Sequence, residues 1–184
     1  MTHSVSKIAC FREKVINNLA DDFISRDYHL DTGCTGTRFV LPVLFDNGYT
    51  DIAFRVLMQK TYPSWGHWLE NGTDSAWESW ERTTRSKNHY FLATYDEIFF
   101  THLAGLKDVR NGWKNFTVEP VLDCGLEFVN ASVKTPLGEA GCSWKKTENG
   151  YTVEITVPDG AQAKIRFSDK IDVIQTGGNK VYNI

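Results

Sequence analysis

Four of the six tryptophans, Trp65, Trp68, Trp77 and Trp80, fall within sixteen positions of one segment, TYPSWGHWLENGTDSAWESWERTTRSKNHYF. Glu70, Asp74, Glu78, Glu81, Asn88 and His89 are interleaved with them, and Gly66 and Gly72 permit sharp turns. Flat indole faces with carboxylates between them suit a sugar, whose ring offers apolar C–H patches on its faces and hydroxyls around its rim. A carboxyl group in so apolar a setting holds its proton more tightly, which is how glycosidases tune their acids and bases. The same residues also fit a plainer role, because tryptophans between two helices commonly plug a core and acidic side chains are commonly solvated.

These residues need elements to position them. Apolar residues Ile8, Phe11, Val15, Ile16, Leu19 and Phe23 recur at three- and four-residue steps and predict an amphipathic helix over 8–23, with Arg12, Lys14 and Asp22 opposite. DTGCTGTRFVLPVLFDNGY brackets a short apolar run with glycines, and DIAFRVLMQK repeats the helical spacing before Tyr62-Pro63, predicting two helices joined by a tight turn. A fourth helix is predicted over 89–103, where Tyr90, Phe91, Thr94, Ile98, Phe99 and Leu103 make an apolar face wide enough to require burial.

After AGLKDVRNGW the pattern changes. Alternating β-branched and aromatic residues predict strands in WKNFTVEPV, LEFVNASVK, CSWKK, YTVEITV and AKIRF, separated by Gly125, Pro136-Leu137-Gly138, Asn149-Gly150 and Asp159-Gly160. TENGYTVEI reads as a hairpin turning on Asn149-Gly150. The fold class expected is therefore α+β, with a helical part over 1–110 and a small antiparallel β-sandwich over 111–184, joined near 106–112 without a long linker. No solenoid repeat is visible.

The chain has 184 residues, enough for a real core, with 41% hydrophobic and 23% charged residues, which excludes disorder and fibrous structure. A formal charge of −3 with scattered basic residues argues against nucleic acid as a partner, and no apolar run is long enough for a membrane span. Cys10, Cys34, Cys124 and Cys142 form no CxxC pair and are read as free thiols; no metal or cofactor is expected. MTHSVSKIACFREKV lacks the apolar core of a secretion leader, and the compartment stays open. The Asn-x-Ser/Thr patterns at Asn71, Asn115 and Asn130 are common by chance.

Over roughly 10–110 the sequence resembles family 78 glycoside hydrolases, the α-L-rhamnosidases. The phrases that carry the resemblance are DYHLDTGCTGT, LPVLFDNGY, YPSWG, GTDSAWESW and NHY, in that order and at similar spacing. The resemblance implies that residues 1–105 are the last helices of an (α/α)6 barrel and that the tail from about Trp113 is the family's carboxyl-terminal β-sandwich. It also implies inverting hydrolysis of rhamnose-containing substrates, in which an acid protonates the glycosidic oxygen and a carboxylate across the site activates water. Glu78 holds the position of that general base, and His89 that of a histidine hydrogen-bonded to rhamnose. Trp65, Trp68, Trp77 and Trp80 are candidate walls of the sugar pocket, with Trp77 equally able to brace the backbone of Glu78.

The partner acid of an inverting pair lies about 6.5–9.5 Å away, and residues 1–60 contain no segment resembling the family's acidic stretch. Asp31 and Asp46 read as capping or solvated residues, and Glu70 is a weaker rival to Glu78. GTDSAWE replaces the family's usual GATTIWE, the loop from Glu78 to His89 is short, and Asp74 adds negative charge beside the site. The chain is thus expected to be inactive alone and to self-associate or to need the rest of a barrel. Two alternatives stay open, a non-catalytic carbohydrate-binding module and an assembly module.

Overall fold

A computed structural model describes residues 2–109, 111–167 and 173–184, with side chains described from residue 10 onward. The chain divides into two compact units, residues 1–95 and 96–184.

The first unit is helical: α1 (Thr2–Ser25), α2 (Thr37–Asp46), α3 (Thr50–Met58) and α4 (Trp65–Glu70). Ile16, Ala20 and Phe23 of α1 lie on one face and are buried, against α2 and α3. Phe11 and Val15, which the periodicity assigned to the same inward face, are 70% and 50% exposed, so the buried stripe covers only the second half of the predicted one. Ile8 lies outside the described side chains. The turn after α2 is closed by Tyr49 N–H donating to Leu44 O at 2.9 Å and Gly48 N–H to Phe45 O at 3.2 Å, a paired C-cap that sends α3 back along α2.

Ser64 caps α4, its hydroxyl accepting from His67 N–H at 3.0 Å, directly after the cis Tyr62-Pro63 peptide. Gly66 follows because α4 meets the end of α3 there: a Cβ at that position would lie 2.3 Å from Gln59 O.

The second unit begins earlier in the chain than the change of residue pattern. The helix predicted over 89–103 forms only as α5 (Asp96–Ile98), which runs into a π-helical turn over Phe99–Leu103. Residues 89–95 cannot join it because their backbone is engaged elsewhere. His89 N–H donates to Ala76 O at 2.8 Å, and Leu92 O accepts the Trp65 indole N–H at 2.7 Å. Nor is the face wholly buried, since Tyr90 is 76% exposed and Phe91 and Phe99 are exposed as well.

Six strands follow: β1 (Leu106–Asp108), β2 (Asn115–Val118), β3 (Phe128–Thr135), β4 (Gly138–Thr147), β5 (Gly150–Ile165) and β6 (Val173–Asn183). They form one curled sheet in the order β1-β2-β5-β4-β3, with β6 also on β5. The expected antiparallel sandwich is corrected in two respects: hydrogen bonding is continuous through β5, and β2 pairs with β5 in parallel. YTVEITV and AKIRF, predicted as separate strands, are two halves of β5, bent at an irregularity between Val157 and Gln162. The first half lies between β4 and β6 and the second between β2 and β6.

The hairpin between β4 and β5 turns on Glu148-Asn149, one residue earlier than predicted, because Thr147 pairs with Gly150. Gly150 has φ +146° and lies against the end of the chain, where a Cβ would fall 2.0 Å from Ile184 O. Phe116, Val118, Cys142, Trp144, Val153, Ile155, Ala163 and Ile165 fill the inner face. The Trp144 indole donates to Leu103 O at 2.7 Å, which ties the π-helical turn to that core.

Candidate active site

The segment from Thr73 to His89 folds back on itself. Glu78 N–H donates to Ser86 O at 3.0 Å, His89 N–H donates to Ala76 O, and the Ser75 hydroxyl donates to Lys87 O. These bonds zip 75–78 against 86–89 and bring the two short stretches bearing Glu78 and His89 side by side, with 79–85 as the loop between them. Both side chains are half-buried. His89 Nδ1 accepts from Phe91 N–H at 3.3 Å, and its ring stacks near Tyr90 and meets Phe91 edge-on, with centroids 5.5 and 4.0 Å away.

Glu78 sits between two anchored indoles. Trp77 donates from Nε1 to Thr73 Oγ1 at 2.8 Å, and Trp80 donates from Nε1 to Thr32 O at 2.9 Å. Lys87 Nζ lies 4.9 Å from the centroid of the Trp77 ring. Trp68 stacks on Trp80 at 5.1 Å and tilts against Trp77 at 5.8 Å, while Trp65 meets Trp80 edge-on at 5.9 Å. The indoles expected to wall a sugar pocket are instead mutually packed core: Trp65, Trp68 and Trp77 are 4%, 2% and 1% exposed. Trp80 is the least covered of the four, at 8%.

The other acidic candidates separate by environment. Glu70 is exposed and pairs with Lys60 at 3.5 Å; Asp31 is exposed and pairs with Arg26 at 2.7 Å; Asp46 ends α2 on the surface and Asp74 is exposed. Glu81 accepts from the Tyr62 hydroxyl at 3.2 Å. The Ser79 side chain and the backbone of Glu81 itself hold that carboxyl below its ordinary range, and desolvation followed by the nearby Glu81 charge pushes the Tyr62 phenol up.

Thr73, Thr32 and the backbone pairing of 86–89 with 75–78 escaped the sequence reading, since main-chain pairing and an oxygen that accepts an indole proton leave no periodic trace. The run S-K-N-H-Y, poor in helix-forming spacing, was the available signal for a backbone pairing. Among the described residues no group of three or more His, Cys, Asp or Glu is placed to hold a metal ion, and no helix is long and apolar enough to cross a membrane.

Residues 7–103 match the family model for the bacterial alpha-L-rhamnosidase 6 hairpin glycosidase domain, and residues 105–181 match that for the bacterial alpha-L-rhamnosidase C-terminal domain. The chain belongs to the bacterial alpha-L-rhamnosidase family. An alpha-L-rhamnosidase of Alteromonas sp. (strain LOR) is 34% identical over 150 residues, which are 76% of this chain and 16% of that protein. One from Streptomyces avermitilis is 30% identical over 151 residues, 77% of this chain and 15% of that protein. The chain therefore spans about one-sixth of the length of these rhamnosidase relatives.

Among solved rhamnosidase structures, that from Dictyoglumus thermophilum superposes with a TM-score of 0.75 at 36% identity, covering 80% of this chain and 17% of that one. The Streptomyces avermitilis enzyme, complexed with L-rhamnose, gives a TM-score of 0.83 at 25% identity over 90% of this chain and 19% of that one. Membership places the chain in a glycoside hydrolase family.

Proposed function

We propose that this chain contributes the general base, Glu78, to an inverting hydrolysis of terminal α-L-rhamnosides, with the general acid supplied by a segment or chain outside residues 1–184. The observation that supports the reading is the zipped pair of stretches that holds Glu78 opposite Ser86 and His89 opposite Ala76, so that both half-buried residues belong to one doubled-back segment, with the anchored Trp77 and Trp80 on either side of Glu78 in the chain. Glu78 would take a proton from water on the face of the sugar opposite the leaving oxygen, and His89 would hydrogen-bond the rhamnose ring. Of the tryptophans, Trp80, the least buried of the four, is retained as a sugar contact.

Exposed Phe11, Val15, Phe39, Met58 and Leu69 on the helices of the first unit support the need for a covering partner, either a second copy or the remainder of a barrel. The deciding experiment assays an aryl α-L-rhamnoside with the chain alone and with an upstream barrel piece from a rhamnosidase relative. Turnover is expected only in the mixture, lost in Glu78→Gln, with the inverted anomer appearing first by proton NMR. Turnover by the isolated chain, or a mixture unaffected by Glu78→Gln, would refute the assignment. Rhamnose binding that survives the substitution in a mixture without turnover would instead favour a non-catalytic carbohydrate-binding module.

A further inference from the structure

The sheet unit carries a feature that rhamnoside hydrolysis at Glu78 does not use. Along the β5–β6 ladder Val157 pairs with Gly178 and Gln162 with Thr176, so four residues, 158–161, face Gly177 alone. So large an interruption of a ladder needs support, and it comes from a wholly buried side chain. Gln175 is 0% exposed, and its Nε2 donates to Ile155 O at 3.2 Å and to Gly178 O at 2.9 Å, while its Oε1 accepts from the Tyr182 hydroxyl at 3.0 Å. A buried amide is costly unless every polar atom finds a partner, and here it is spent on holding the strands apart. Bulges of this kind re-aim side chains beside binding sites.

The mouth of the bulge opens on a broad, shallow depression of about 570 Å³. Lys114, Asn115, Asp159, Gln162, Thr176 and Gly177 line it. Gln162 N–H donates to Lys114 O at 2.9 Å, fixing β2 at one side of the cleft. Asp159 Oδ1 would lie 3.1 Å from a Cβ at position 177, so the missing side chain there makes room for the carboxylate.

The lining decides the ligand class. With one carboxylate, Asp159, and one ammonium, Lys114, the lining carries no net charge, which disfavours an anion. A calcium-like cation asks for six to eight oxygens and would meet the lysine. What remains is a dense set of hydrogen-bond donors and acceptors suited to a neutral polyhydroxyl ring. We propose that this cleft is a second sugar-binding site, built on the sheet unit and independent of Glu78.

The test is a titration of the isotopically labelled chain with methyl α-L-rhamnopyranoside and, in parallel, methyl β-D-glucopyranoside, followed through backbone amide resonances. Saturable shifts at Asn115, Gly160, Gln162 and Gly177 with at least one of the sugars are expected. Asp159→Ala should weaken that binding by about tenfold or more, the loss expected for a hydrogen bond to a charged group, and Asn115→Ala should weaken it too. Both positions are exposed, and a spectrum otherwise unchanged verifies each variant's fold. The shifts should persist in Glu78→Gln, so failure of the catalytic reading leaves this one standing. No saturable shift at these amides with either sugar, shifts that survive both cleft substitutions, or their loss in Glu78→Gln would overturn the proposal.

Discussion

At the scale of single residues, three of the four clustered indoles are held by what accepts their protons, Trp65 by Leu92 O, Trp77 by Thr73 and Trp80 by Thr32 O, while Trp68 Nε1 is buried without a hydrogen-bond partner. Trp77 is 1% exposed and its Nε1 is satisfied by Thr73, whose hydroxyl in turn donates to Ser75 O at 2.9 Å. Thr73→Val keeps the shape and removes the acceptor, so the chain should lose about 1–3 kcal/mol in urea denaturation, with Thr73→Ser recovering most of it. The cysteines make a separate test. Cys124 and Cys142 are buried, and burial pushes the Cys142 thiol from its ordinary 9.0 up to about 12, whereas Cys10 and Cys34 are exposed. Two thiols should therefore label quickly in the native protein and two only on unfolding. Because the folded chain holds the Cys142 proton more tightly than the unfolded chain does, its contribution is complete below pH 9.0 and fades as pH rises toward about 12. The difference in stability between the parent chain and Cys142→Ala should shrink across that window. The cluster of four tryptophans was legible as the centre of interest from spacing alone, but its burial was not: alternation of indoles and acids looks the same whether the rings face a ligand or one another.

At the scale of elements, periodicity located α1, the α2–α3 pair and most strands because each buries one face against a neighbour. It failed where tertiary partners claim the backbone. Residues 89–95 carry helical spacing, yet Ala76 O and the Trp65 indole engage His89 and Leu92 and leave the helix only Asp96–Leu103. β6 went unread because Gly177 and Gly178 interrupt its alternation, and Asp159-Gly160 disguised one long strand as two. The hairpin slipped by a residue for a similar reason, since Gly150 answers to the main chain of Ile184 rather than to the turn. Gly150→Ala would drive its methyl into the main chain at Ile184 O and place an L side chain at a φ of +146°, so the cost should reach about 2–4 kcal/mol in urea denaturation. Loss of amide-exchange protection at Tyr151 and Ile184, without collapse of the β4–β5 pairing, is the expected readout.

At the scale of the whole molecule, family membership was written in ordered phrases spread over the first hundred residues, a signal that survives local errors in helix and strand. The sheet unit showed less of itself in the sequence, since the parallel β2–β5 pair joins strands far apart in the chain. Its extent has a practical consequence for anyone dividing the chain. The indole of Trp144, 2% exposed, relies on the carbonyl of Leu103, and Glu119 N–H relies on that of Gly105. Cutting where the residue pattern turns to strand, near Trp113, would strip both acceptors and β1 from the piece that remains. A polypeptide of residues 96–184 should melt cooperatively by circular dichroism, and one of residues 113–184 should not. The few helical residues ahead of the first strand are the plug without which that half of the molecule has no closed interior.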